Sequence, residues 1–192
     1  MKRFFLSLSL SMSVLLVFAT SIYIMERGGK AVFSTTNEKG EKLTATNANY
    51  SSILRHEQAS FAISLPIRGF VFEDYMLVDQ FASAAYLNAN KDPMIRYNGK
   101  FEGLKSLNIK ELKDKTIPVS GQLRINGIDK DVNTTATLNY TDAGISGTLS
   151  LKGINLADFN IELSDAMKTQ FGSKIDLDCE LLWAKVDVPK KD

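Results

Sequence analysis

The side chains of this 192-residue chain that could do chemistry are few and scattered. His56 is the only histidine, set in Leu54-Arg55-His56-Glu57-Gln58. With no second histidine it lacks the usual zinc partners, and with no nucleophile motif it has no triad to join. It reads as a solvated loop residue. Cys179 is the only cysteine, so no internal disulfide can form. In the alternating run Lys174–Trp183 it shares a face with Ile175, Leu177, Leu181 and Trp183, the setting of a packed apolar cysteine rather than a reactive thiol. Asp176, Asp178 and Glu180 take the opposite face; three carboxylates at that spacing could hold calcium, but a wet outer sheet face explains them more simply. The chain contains no G-x-S-x-G elbow, H-E-x-x-H, Gly-rich phosphate loop or C-x-x-C. Catalysis has no candidate residue, and no cofactor or metal is implied. Asn49, Asn133 and Asn139 open glycosylation-type triplets, a pattern too short and frequent to assign a role.

What remains is organisation, and it is that of a sheet. Apolar and polar residues alternate over Lys30–Thr36, Lys42–Leu54, Ala59–Gly69, Met94–Glu102, Ile117–Asn126, Val132–Tyr140, Gly144–Leu151 and Lys174–Val186, which predicts eight strands. Short Gly-bearing links at Glu38–Glu41, Asn126–Asp129 and Asp142–Gly144 suit antiparallel neighbours; parallel crossovers would need a dozen residues or more. Two segments follow a helical period. Tyr75, Val78, Phe81, Ala82 and Ala85 mark one apolar face after Asp74 as N-cap, and Ser164 opens a shorter helix that stops at Gly172. Both belong at the mouth or side of the sheet. The lysine-rich stretch Leu104–Thr116 reads as a loop with an irregular turn.

The two faces of the strands differ. Phe61, Ile63, Leu65 and Ile67 share one face, as do Val119, Leu123 and Ile125, then Val132, Leu138 and Tyr140, then Ile145, Leu149 and Leu151. The other faces carry Ser64, Arg68, Gln122, Arg124, Asn126, Thr135, Thr137, Asn139, Ser146 and Thr148. A sheet with one dry face and short sequential links predicts an all-β, eight-stranded antiparallel up-and-down barrel with one or two short helices. Such a barrel is just wide enough to be filled by side chains or to hold one small ligand. An outer-membrane barrel would show the opposite pattern, apolar outside and polar inside.

The first residues read separately. Lys2 and Arg3 precede an apolar, serine-interrupted run from Phe4 to Phe18, followed by Ala19, Thr20 and Ser21. This is the form of a secretory signal peptide over residues 1–21, leaving a domain over 22–192. A retained membrane anchor is the competing reading, since apolar residues continue through Met25. Removal of the leader takes away two positive charges and no negative ones, moving the formal charge from +1 to −1. A near-neutral domain speaks against nucleic acid as a partner.

Several segments together resemble the YceI-like family of exported polyisoprenoid-binding proteins. The similarity is carried by Gly121-Gln122-Leu123-Arg124-Ile125-Asn126-Gly127-Ile128-Asp129-Lys130, a strand and its Gly-bearing turn. It continues through Ser60–Phe101, where a strand leads into a helix, a Lys91-Asp92-Pro93 turn and the next strand. The resemblance spans roughly residues 30–184, and departs from the family where Phe70-Val71-Phe72 replaces a more polar stretch. It implies a lipocalin-like barrel enclosing an apolar lipid such as an isoprenoid or quinone, carried without catalysis in the periplasm or after secretion. Loading would occur during transient contact with a membrane surface, and a mouth-to-mouth homodimer is compatible with it.

On that reading the ligand-binding residues are the inward-facing Phe61, Ile63, Tyr97, Phe101, Leu123, Ile125 and Leu138, with Tyr140, Leu149, Leu177, Leu181 and Trp183. Val78 and Phe81, on the first helix, are candidates for a lid. The alternative left open is a barrel filled by its own side chains that acts as a structural or interaction module.

Overall fold

Period-two alternation joined by tight turns lets each strand pair with the one before it, and the resulting sheet curls until its ends meet. The computed structural model describes residues 22–25, 29–104 and 109–186. The first half holds β1 (Ile22–Met25), β2 (Ala31–Thr36), β3 (Lys42–Asn47), β4 (Ser51–Arg55), β5 (Ser60–Pro66), β6 (Val71–Phe72), α1 (Leu77–Ala82) and β7 (Met94–Phe101). The second holds β8 (Lys115–Ile125), β9 (Ile128–Asp131), β10 (Thr134–Thr141), β11 (Gly144–Asn155), α2 (Asp165–Gln170) and β12 (Lys174–Val186). Pairing runs β1-β4-β5-β7-β8-β10-β11-β12, and β12 also pairs with β1, so these eight strands form a circuit. The lipocalin-like barrel expected from the alternation is present.

The sheet as a whole, however, holds twelve strand segments among the described residues rather than eight, because β2, β3, β6 and β9 lie off this circuit. The run expected to be one strand over Lys42–Leu54 breaks into β3 and β4 because of Asn47. Its fully buried side chain accepts a hydrogen bond from the Asn49 N–H at 2.8 Å and donates to the Pro66 carbonyl at 2.9 Å, replacing ladder bonds with local ones. Ile22–Met25, counted above as part of a possible anchor, is strand β1, inserted between β4 and β12. The leader expected over 1–21 lies outside the described residues.

The β8–β9 turn uses Asn126 and Gly127, both at positive φ (53° and 79°), which is the two-residue hairpin geometry. β9 pairs only with β8 and lies off the circuit; the wall continues instead from the first half of β8 to β10, with Val119 opposite Thr134. Asn126, expected on the wet face, is buried. Its Nδ2 donates to the Phe159 carbonyl at 3.1 Å, pinning the turn to the 3-10 segment Leu156–Phe159.

Both helices sit with the β8–β9 turn at one end of the barrel, the capped end. α1 is shorter than expected. Asp74 Oδ1 accepts from the Met76 N–H at 3.0 Å, closing a turn before the helix instead of capping it. Tyr75 and Ala85 therefore fall outside the helix and point to solvent, while Phe81 and Ala82 are buried. α2 follows its sequence signals: Ser164 Oγ accepts from the Met167 N–H, and the helix stops before Gly172. Within Leu104–Thr116, residues 105–108 lie outside the described set, Ile109–Glu111 forms a 3-10 turn and β8 already begins at Lys115.

Candidate ligand site: the barrel interior

Alternation drives one face of each wall strand inward, and twelve of the fourteen residues expected to contact a ligand are buried there or beneath the cap. Val78 and Tyr140 are half-buried and pack against the core from its edge. The interior divides into two aromatic groups, one toward each end.

Away from the cap, Phe61 stacks on Phe101 at 4.5 Å between ring centroids and lies 5.9 Å from Tyr97 and 6.0 Å from Trp183. The polar ends of these rings are satisfied. Trp183 Nε1 donates to Ser52 Oγ at 2.9 Å, and Tyr97 donates its hydroxyl to the Val132 carbonyl at 2.8 Å. Burial pushes the Tyr97 phenol up to about 12, so it stays protonated. Two glycines paired across β7 and β8, Gly99 and Gly121, lie under these rings: a Cβ at Gly99 would collide with the Phe61 ring, and one at Gly121 with Tyr97.

Beneath the cap, Phe81 of α1 enters a group formed by Phe33, Phe70, Phe72, Tyr86 and Phe171, at centroid distances of 4.9 to 6.3 Å. Phe81 is fully buried, a stopper in the barrel end rather than a loose flap. Tyr86 donates to the Gly172 carbonyl at 2.9 Å, and its phenol is raised well above its ordinary range by burial. Of this group only Phe81 was singled out from sequence. Phe70 and Phe72 had a visible signal, their apolarity where the family resemblance is more polar; Phe33, Tyr86 and Phe171 carry none beyond being aromatic.

The chemistry-bearing residues fall where the sequence places most of them. Cys179 is buried on the inward face with Ile175, Leu177, Leu181 and Trp183, and burial, with Asp178 beside it, pushes its thiol up to about 12. Asp176 and Asp178 are paired with Lys152 on the outer wall, and Glu180 with Lys30, as a solvated face requires. No group of three or more metal-ligating side chains occurs among the described residues. His56 departs from expectation: it lies in a 3-10 turn, half-buried, with its Nε2 enclosed and lacking a hydrogen-bond partner.

A circuit of antiparallel strands around an apolar, ring-lined interior, plugged at one end by a short helix, defines a lipocalin-like barrel. The chain belongs to the YceI-like family: the model of the YceI-like domain matches residues 24–182. No curated protein matches it in sequence. Among solved structures it is similar to a polyisoprenoid binding domain from Saccharophagus degradans implicated in plant cell wall breakdown, with a TM-score of 0.71 and 9% identity over 88% of this chain and all (100%) of that one. BcnA of Burkholderia cenocepacia gives a TM-score of 0.63 at 16% identity, covering 79% and 94% of the two chains. The Campylobacter jejuni YceI protein gives 0.53 at 16%, covering 98% and 100%. At these identities the likeness is one of fold.

Proposed function

We propose that this protein is an exported, non-enzymatic carrier that binds an apolar lipid of the isoprenoid or quinone type inside the barrel. The observation that carries this reading is the continuous apolar interior, ring-lined at both ends, in a fold shared with a domain described as polyisoprenoid-binding. A chain-like lipid gains on the order of 25 cal/mol for each Å² of apolar surface it removes from water, so a dry tube binds it without catalytic groups. Export is supported by Lys2-Arg3 and the apolar run that follows.

Rings pack against one another at both ends of the interior. Binding then exchanges ring–ring for ring–chain contacts, with the Phe61–Phe101 stack turning aside and Phe81 retreating from its group. The same packing supports a second reading, in which the barrel stays filled and the protein acts as an interaction module. Titration of the purified protein with decylubiquinone, followed by quenching of Trp183, separates the two. The carrier reading gives saturable quenching at one ligand per protein; a flat response leaves the filled module.

A further inference from the structure

Three large apolar side chains are strongly exposed among the described residues, and they lie within six positions at the capped end: Val71 at 63%, Tyr75 at 80% and Met76 at 68%. They form the segment leading into α1, the helix whose Phe81 stops the barrel. Single exposed apolar residues are ordinary, but three within the six residues of β6 and the turn that follows it are not.

Beside this tip lies a hollow of about 500 Å³ lined by Lys91, Asp92, Arg96, Arg124 and Gly127. Asp92, 7% exposed, accepts from Arg96 Nη1 at 2.8 Å and from Arg124 Nε at 3.3 Å, while Arg124 Nη1 reaches Asp129 at 2.9 Å. The buried carboxylate thus holds two guanidinium groups in fixed positions on the rim, each more than a third exposed. Arg96 Nε and Nη2, Arg124 Nη2 and Lys91 Nζ have no partner among the described residues. Planar guanidinium donors held in this way match phosphate oxygens. Arg68 ties α1 to the residue before Lys91, donating to Asn90 Oδ1 at 3.2 Å and lying 3.9 Å from Asp79 of α1.

The charges around the exposed apolar residues and the hollow nearly cancel. Arg68, Lys91, Arg96 and Arg124 stand among Glu73, Asp74, Asp79, Asp92 and Asp129. That balance complements a headgroup carrying both a phosphate and an ammonium, not a strongly anionic surface.

We infer that the capped end is a docking surface for a zwitterionic phospholipid bilayer: Val71, Tyr75 and Met76 enter the interface, a lipid phosphodiester sits in the Lys91–Arg96–Arg124 hollow, and Glu73 and Asp74 face headgroup ammonium groups. The inference rests on the carrier reading, because docking there brings the stopper helix, and so the barrel entrance, to the lipid.

The test is flotation of the purified protein with vesicles of phosphatidylcholine and phosphatidylethanolamine. The wild type floats, and replacing part of the lipid by phosphatidylglycerol does not increase the floating fraction. The substitutions Y75S and M76S, made together at exposed positions, lower partition by at least about tenfold; K91E lowers it several-fold. Neither variant alters solution uptake of decylubiquinone. An unchanged partition in Y75S/M76S, or flotation that requires phosphatidylglycerol, overturns the inference. A wild type that takes up decylubiquinone but does not float refutes docking and leaves the carrier standing; one that floats but takes up no quinone supports docking and refutes the carrier.

Discussion

Truncating Phe61 to alanine measures how tightly the rings of the barrel interior are packed. The ring is 2% exposed and within 4.5 to 6.0 Å of Phe101, Tyr97 and Trp183. Its removal leaves a void of ~100 Å³, worth ~2.4 kcal/mol at ~24 cal/mol per Å³. The lost transfer energy of the ring adds ~2 kcal/mol. The expected loss is about 4 kcal/mol, read by urea unfolding with Trp183 as the emitting probe. A dry void lined by rings should also take up a small arene, so saturating benzene restores part of the stability. A loss below ~1 kcal/mol, with no response to benzene, would mean that Phe61 already borders open space and would refute the packed-axis account.

Four further outcomes follow from the same geometry. Gly99→Ala drives a methyl into the Phe61 ring and destabilises by ~1–3 kcal/mol, measured by thermal unfolding; a neutral result would show that the ring is free to move. Trp183→Phe keeps the apolar bulk but leaves the buried Ser52 hydroxyl without its donor, costing ~1–3 kcal/mol in the same assay. Cys179 stays unlabelled by a thiol reagent near neutral pH until the protein unfolds, as expected for a buried thiol pushed up to about 12; rapid labelling of the native state would contradict its placement. Burial raises the carboxyl of Asp92, yet Arg96, the Met94 N–H and Arg124 together hold it below its ordinary range. The folded state therefore binds fewer protons than the unfolded one near pH 4, and this stability, present above about pH 4–5, is lost as pH falls through the lowered value. Asp92→Asn should flatten the acid limb of a stability–pH curve, and an unaltered limb would refute the assignment.

Much of the wall was legible because alternation is a direct image of burial in a one-sided sheet. The residues nominated on β5, β7, β8, β11 and β12 face inward for that reason, and β12 runs over Lys174–Val186 as the pattern marks it. What was not legible depends on partners distant in sequence. Asn47 breaks its strand because Pro66 lies across the gap, and Asn126 turns inward because Phe159 offers a carbonyl. The pairing of Gly99 with Gly121 under two rings is a cross-strand fact that neither segment reveals alone. Tyr75 obeyed the helical period but stands outside the helix, because Asp74 closed a turn first. The aromatic group around Phe81 brings together β2, β6, α1 and the segment after α2, and only the folded chain does so.

The carrier reading is tested most directly by native mass spectrometry of the protein purified from its own compartment, followed by organic extraction and identification of what is released. A carrier releases one apolar chain-like lipid per protein, stays empty after extraction and refolding, and regains a ligand when an isoprenoid or quinone is added. Protein that is empty as purified and takes up neither would contradict it.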